Sequence, residues 1–491
     1  MAPGYRLVVN LNNGKMIGDI AAVFRGTGMT ISEMTATELA AGFRTGALSP
    51  VEATSAVLAR IETCSALNAF CHVDAEGALG AAHASEARHR SGTPLGPMDG
   101  IPVGIKDLIR TKGMPTRYGS LTTDPAAPQD ADAPLVARLR EAGAVLLGKT
   151  TSPEFGWKGV TDSPLTGITR NPWKPTHTPG GSSGGAGAQV AAGMGPIGIG
   201  TDGGGSIRIP ASFCGLVGFK PSYGRVPAWP ASQVGTMAHA GPITRSVKDA
   251  AMTMAVISGF DARDWTSLPQ ADLDWVGISR GSLQGKRIAF SPDLGFANVD
   301  PEVAALVRAA VGVIEQLGAT VEEVDPGIGK QEEAIGILWK AGCAKGQMRM
   351  TEAQKALLEP GLREAGEMGA QFTLADWHRA SDARWALGAA MRAFHQSYDF
   401  LVLPTMPVPA FEVSTNAPRA ADGSLNWGWN AFCYQFNMTQ QPALTLNCGF
   451  TAAGLPVGIQ IVGAMHDDLG VLSAGHALET ALPAYRFPTI A

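Results

Sequence analysis

The chain is poor in cysteine, with six in 491 residues. The spacings of Cys64, Cys71, Cys214, Cys343, Cys433 and Cys448 match no zinc motif, and their sparseness excludes a disulfide scaffold. Most are expected to be buried apolar fillers. Charge is scarce too: 16% of residues are charged against 45% hydrophobic, which excludes a disordered or fibrous chain. With 38 basic and 43 acidic residues the net charge is −5, which leaves no basic footprint for nucleic acid and no like-charge tail. No apolar run approaches the ~18 residues of a membrane span. The run from Met16 to Phe24 is short and carries Asp19, so it makes a poor signal peptide. A cytoplasmic protein that binds neither membrane nor nucleic acid is expected.

Glycine, by contrast, is abundant at 61 residues, which suits many tight turns. Residues 1–29 read as an N-terminal extension, because regular patterning starts near Thr30. Thr35 and Glu38 stand at capping-box spacing for a helix to Ala41, with Gly42 placed to end it. Ser49-Pro50 opens a second helix, and a third runs over about 75–90. Apolar runs at 101–105 and 144–148 read as buried strands, with a helix at 134–142 between them. Further helices are expected at 184–193 and 301–316 and over most of 330–400. Further strands are expected at 197–200, 320–324, 401–403, 444–448 and 457–462, with a loop over 404–429. This alternation predicts an α/β fold: a single large domain whose mixed, largely parallel central sheet is surrounded by helices.

Three segments carry chemistry. The first is Gly100-Ile101-Pro102-Val103-Gly104-Ile105-Lys106-Asp107, whose lysine ends an apolar run. The second is Gly180-Gly181-Ser182-Ser183-Gly184-Gly185 and the third Gly200-Thr201-Asp202-Gly203-Gly204-Gly205-Ser206-Ile207-Arg208. Together they supply a buried amine, serines and a row of backbone N–H groups, the parts needed to split an acyl bond without histidine or metal. Ser206, expected to open a helix, is the best nucleophile, and the N–H groups of Gly203, Gly204, Gly205 and Ser206 can converge on an oxyanion. Taken alone, that segment reads equally as an ordinary glycine-rich turn. Lys106 beside Asp107 likewise reads alone as a surface ion pair. A lysine of pKa ~10.4 is deprotonated in only about one molecule in ~2,500 at neutral pH, so a base role demands burial.

Three formal motif matches fail on context. Gly198 to Gly203 fits G-x-G-x-x-G, yet the next acid after Asp202 is Asp249, too far on to bind a ribose. Gly181 to Gly185 fits G-x-S-x-G, which would make Ser183 the nucleophile. Gly143 to Thr150 fits the Walker pattern, but its interior Ala-Val-Leu-Leu reads as a buried strand.

The three segments, with Thr169-Arg170-Asn171-Pro172-Trp173, His177-Thr178-Pro179, 211–221 and Gly241-Pro242, closely resemble the amidase signature family. The resemblance runs from about Met29 to the C-terminus, with a signature core at about 100–242 and a variable, pocket-forming region at about 330–440. It implies an amidase that uses no cofactor and no metal and cleaves a C–N bond through an acyl-serine intermediate. It assigns Ser206 as nucleophile, Lys106 as base, Ser182 as proton relay, and a cis Gly181–Ser182 peptide. Supporting roles fall to Thr178, Gly181, Ser183, Asp202 and Arg208, the last two as a structural ion pair. No histidine is required.

Phe155, Trp157, Trp229, Trp339 and Phe432 are the aromatics expected in the pocket, within a wider set that includes Trp377, Trp427 and Trp429. As a set they favour apolar or aryl amides, with ester or carbamate side activity. The partners expected are a small amide and, at most, a second copy of the chain. One alternative is the glutamine-hydrolysing component of a tRNA-dependent amidotransferase, although 340–400 lacks the pattern expected of it. The other is a catalytically silent family member acting as a binding protein, against which stands the presence of all three triad residues.

Overall fold

A computed structural model describes residues 30–124, 127–420 and 422–490. The extension expected at residues 1–29 lies outside these. The strands in chain order begin with β1 (Phe70–Val73), β2 (Pro102–Lys106) and β3 (Val145–Thr150). A short ribbon, β4 (Asp162–Ser163) with β5 (Gly167–Ile168), stands apart. β6 (Ile197–Asp202), β7 (Val217–Lys220), β8 (His239–Thr244), β9 (Arg287–Phe290) and β10 (Thr320–Glu323) follow. β11 (Phe400–Pro404), β12 (Ala443–Phe450) and β13 (Pro456–Gly463) complete the set. Eleven of these form one sheet in the order β1-β3-β2-β6-β8-β7-β12-β13-β11-β9-β10, with helices packed around it. The sheet is mixed, as expected, but not largely parallel: four neighbour pairs are parallel and six antiparallel. Isolated apolar runs show where strands lie but not which runs pair, and β7, β8 and β12 insert between elements far apart in sequence.

Local signals place most helix starts. Thr35 and Ser49 each accept the N–H three residues on and receive the capping glutamate in return, at the starts of helices Ala36–Thr45 and Pro50–Thr63. The first of these passes through Gly42 and stops at Gly46, which takes the left-handed cap conformation at φ 72°. Gly42, the expected stop, is instead buried against Leu48 inside the helix.

The geometry that matters most is the parallel pair β2–β6, in register Val103↔Ile197 to Ile105↔Ile199. Parallel neighbours end on the same edge, so Lys106 and Asp202 emerge side by side although they are far apart in sequence. Helix Gly184–Ala191 packs directly on these strands. A Cβ at Gly198 would meet Ala186 Cβ at 3.0 Å, and one at Gly185 would meet Thr151 N at 2.4 Å. Gly185, at about 1 kcal/mol in helix propensity, and Gly198 on β6 thus let the helix seat its N-terminal turn beside Lys106.

Candidate active site

β2 ends at Lys106, whose side chain is fully buried. Its Nζ lies 2.7 Å from Ser182 Oγ, 2.9 Å from Ser183 Oγ and 2.9 Å from Thr201 Oγ1, so hydroxyls and not carboxylates surround it. Burial drives the amine well below the ordinary lysine value, and the Asp202 charge only partly opposes that. Asp107 faces elsewhere, its carboxylate accepting the N–H groups of Arg117 at 2.9 Å and Gly119 at 3.1 Å. Lys149, the lysine of the formal Walker match, is buried on β3. It donates to the Ile109 carbonyl and to Thr111 and Thr116 hydroxyls at 3.1 and 3.0 Å, bracing a loop and cradling no phosphate.

The Gly181–Ser182 peptide is cis. Thr161 Oγ1 donates to Gly180 O at 2.8 Å and accepts Gly184 N–H at 3.1 Å, while Thr178 Oγ1 accepts Gly180 N–H at 3.1 Å. A Cβ at Gly181 would strike the Val160 backbone at 2.7 Å, so no other residue fits there. Ser183 links the two turns: its hydroxyl donates to Thr201 O at 3.1 Å, and its N–H donates to Ser206 O at 3.2 Å.

Asp202 organises the second turn. Its buried carboxylate accepts Gly205 N–H at 2.7 Å, Ile207 N–H at 3.2 Å, and the Arg208 guanidinium at 2.9 and 3.0 Å. Arg208 extends the frame to Gln460 at 2.8 Å and Asn437 at 2.6 Å, and Asn437 Nδ2 returns to Asp202 at 2.8 Å. Burial alone would raise the Asp202 carboxyl. The charge and hydrogen bonds of Arg208, with Lys220 and Asn437, outweigh it and hold the group well below the usual carboxylate range.

Two expectations change here. The helix starts at Arg208 and not at Ser206, because Asp202 draws the turn tight before helical bonding begins. Gly205 is also removed from the expected row of oxyanion donors, since its N–H belongs to Asp202. Its glycine identity has another cause: φ is +123° and a Cβ would sit 2.6 Å from Cys433 Cβ. Among the described residues, the N–H groups of Gly203, Gly204 and Ser206 have no intramolecular acceptor. Ser206 Oγ makes no hydrogen bond there, to Ser182 or to any other residue. Both serines line one cavity.

That cavity holds about 350 Å3. Phe155, Trp157, Trp229 and Trp339 line it, together with Tyr118, Arg110 and the loop 227–234. Trp157 is braced from outside: its indole N–H donates to Glu359 at 2.9 Å, and its carbonyl accepts from Trp339 at 3.0 Å. Phe432 does not line the cavity. It is fully buried, in the core cluster that also holds Leu401, Leu403, Phe436 and residues of helix Leu374–Phe394. Trp429 is core, stacked on Phe213 at 6.0 Å, and Trp377 is exposed on that same helix. Sequence reasoning misses Thr201 and Tyr118. Thr201 stands inside a recognised segment, whereas nothing local marks Tyr118, which the fold brings in at φ 55°.

A family model described as Amidase matches residues 52–472. The chain belongs to the amidase signature family. It is a hydrolase acting on C–N bonds. An acylamidase of Rhodococcus erythropolis is 37% identical over 462 residues, covering 92% of this chain and 96% of the relative. A glutamyl-tRNA(Gln) amidotransferase component from Desulforapulum autotrophicum is 35% identical over 494 residues, covering 93% and 98%. The crystal structure of a bacterial aryl acylamidase of the same family superposes with TM-score 0.85 at 31% identity, covering 91% of this amidase and 96% of that chain. No helix among the described residues is long and apolar enough to cross a membrane.

Proposed function

We propose that this amidase hydrolyses apolar or aryl amides through an acyl-Ser206 intermediate, with Ser182 relaying the proton and Lys106 as base. The observation that carries the reading is the buried Lys106 amine 2.7 Å from Ser182 Oγ, on the cavity that Ser206 also lines. A neutral amine has two N–H groups and one lone pair. Ser183 Oγ gives its proton to Thr201 O, so it accepts one Lys106 N–H; Thr201 Oγ1 accepts the other. The lone pair then faces the Ser182 hydroxyl.

As Ser206 attacks the amide carbonyl, its proton passes to Ser182 Oγ while the Ser182 proton passes to Lys106. The oxyanion forms against the free N–H groups of Gly203, Gly204 and Ser206, each such donor being worth about 3–4 kcal/mol in the transition state. The proton returns along the same path to the leaving nitrogen, and water completes the cycle on the acyl-enzyme.

The aromatic walls favour an apolar group, in keeping with the names of the acylamidase relatives. Among the described residues no Asp or Glu lines the cavity, so the ammonium of free glutamine would find no carboxylate partner among them. The test is initial rates on aryl and alkyl amides, an anilide, an ester, a carbamate and glutamine, with Ser206→Ala as blank. Turnover of apolar amides that vanishes in the blank is the expected result. Activity on glutamine alone would overturn the substrate class in favour of an amidotransferase role.

A further inference from the structure

One charged group on the cavity wall has no use in the reaction above. Arg110 follows the lysine strand, is half-buried, and lines the cavity with both serines. Its backbone carbonyl is occupied by Ala133 N–H, but its guanidinium is not paired. Among the described residues no carboxylate lies within 4 Å of it and no acceptor takes any of its N–H groups, and the Nε is sealed from solvent without a partner.

The surroundings hold this group in place without neutralising it. Its Cζ sits 5.5 Å from the centre of the Trp229 ring, a wall of the same cavity. Arg263 approaches that ring at 5.1 Å and has its own carboxylate, Asp261, at 2.8 Å. Two guanidiniums thus approach one indole, and Asp261 pairs with Arg263 alone. Among the described residues no Asp or Glu lines the cavity. A planar fork of donors, stacked on an aromatic wall and lacking an acceptor, matches a carboxylate better than any neutral group.

We propose that Arg110 determines specificity by binding a carboxylate on the substrate, so that the preferred amides have an apolar body and one anionic group away from the scissile bond. This rests on the reading of the cavity as an amidase site for apolar amides. The carboxylate can belong to the acyl side or the amine side, and the test separates the two. The acyl-side pair is succinanilic acid against 4-methylpentananilide; the amine-side pair is 4-carboxyacetanilide against 4-isopropylacetanilide. Within each pair size is nearly constant and charge changes.

The wild-type enzyme should prefer the carboxylate member of one pair by about tenfold or more in kcat/KM, mostly through KM, the scale of one charge-assisted hydrogen bond. Arg110→Gln should lower kcat/KM for that member at least tenfold more than for its neutral partner. Arg110→Glu should invert the preference. Equal rates within both pairs, or a preference that survives Arg110→Gln, would overturn the proposal.

If no anilide of either kind is turned over, the activity reading has failed and not this one. Calorimetric binding of 4-carboxyacetanilide and succinanilic acid to Ser206→Ala, with and without Arg110→Gln, then decides. Binding of either that is lost on adding Arg110→Gln supports the proposal. Binding indifferent to Arg110, or no binding of either probe, overturns it.

Discussion

Replacing Lys106 by methionine removes the amine while keeping the length and most of the volume of the side chain. The structure separates the two consequences. Ser183 keeps its bonds to Thr201, so only Ser182 Oγ and Thr201 Oγ1 lose their partner. Each orphaned buried hydroxyl costs about 1–3 kcal/mol, but the cost of burying an amine disappears at the same time, so the fold should survive. Catalysis should fall by about 10^2–10^4, the usual worth of a positioned general base. The assay is kcat on the best anilide, with circular dichroism and melting on the same sample. The pH profile supplies a second readout. Only the neutral amine accepts a proton, so the wild-type rate should rise with pH and level off once Lys106 is deprotonated, well before the ordinary lysine value of 10.5. A folded Lys106→Met enzyme with kcat within tenfold of wild type would refute the base assignment.

Asp202→Asn keeps the shape but breaks the ion pair with Arg208 and loosens the Gly205 and Ile207 N–H bonds; it should cost about 3–5 kcal/mol of stability, read by urea unfolding. Gly205→Ala should abolish activity, because its Cβ would meet Cys433 at 2.6 Å, whereas Gly204→Ala, with nothing nearer than 3.8 Å, should cost far less. Glu359→Ala frees the Trp157 indole and leaves Lys158 to Asp162 alone, and should raise KM for aryl amides by about tenfold, the worth of one hydrogen bond to a charged group, with a smaller change in kcat. Burial lowers the Lys149 amine to about 8 against an ordinary 10.5, with Asp107 opposing. The unfolded chain therefore holds its proton longer, and the native state bears that cost in full below pH 8. Stability should be regained as pH rises from about 8 towards 10.5, and Lys149→Met should flatten that gain in pH-dependent melting.

The sequence by itself determined the parts that depend on near neighbours. Thr35, Ser49 and their capping glutamates set helix starts because the bonds they make span three residues. Lys106, Ser182 and Ser206 were singled out by the resemblance of their three segments to the amidase signature family, since each segment alone also reads as an ordinary turn or ion pair; the fold brings Lys106 Nζ to 2.7 Å from Ser182 Oγ and puts both serines on one cavity. Only the tertiary structure decided what depends on distant pairing. Six of ten strand contacts are antiparallel, four of them because β7, β8 and β12 enter between runs whose own patterns say nothing of their neighbours. Gly205 left the row of oxyanion donors because Asp202, held by Arg208 and Asn437, takes its N–H, a competition not visible in a run of glycines. Phe432 and Trp339 lie in the same variable region, yet one fills the core and the other walls the cavity. Hydrophobicity requires each ring to leave water, and packing alone chooses where it goes.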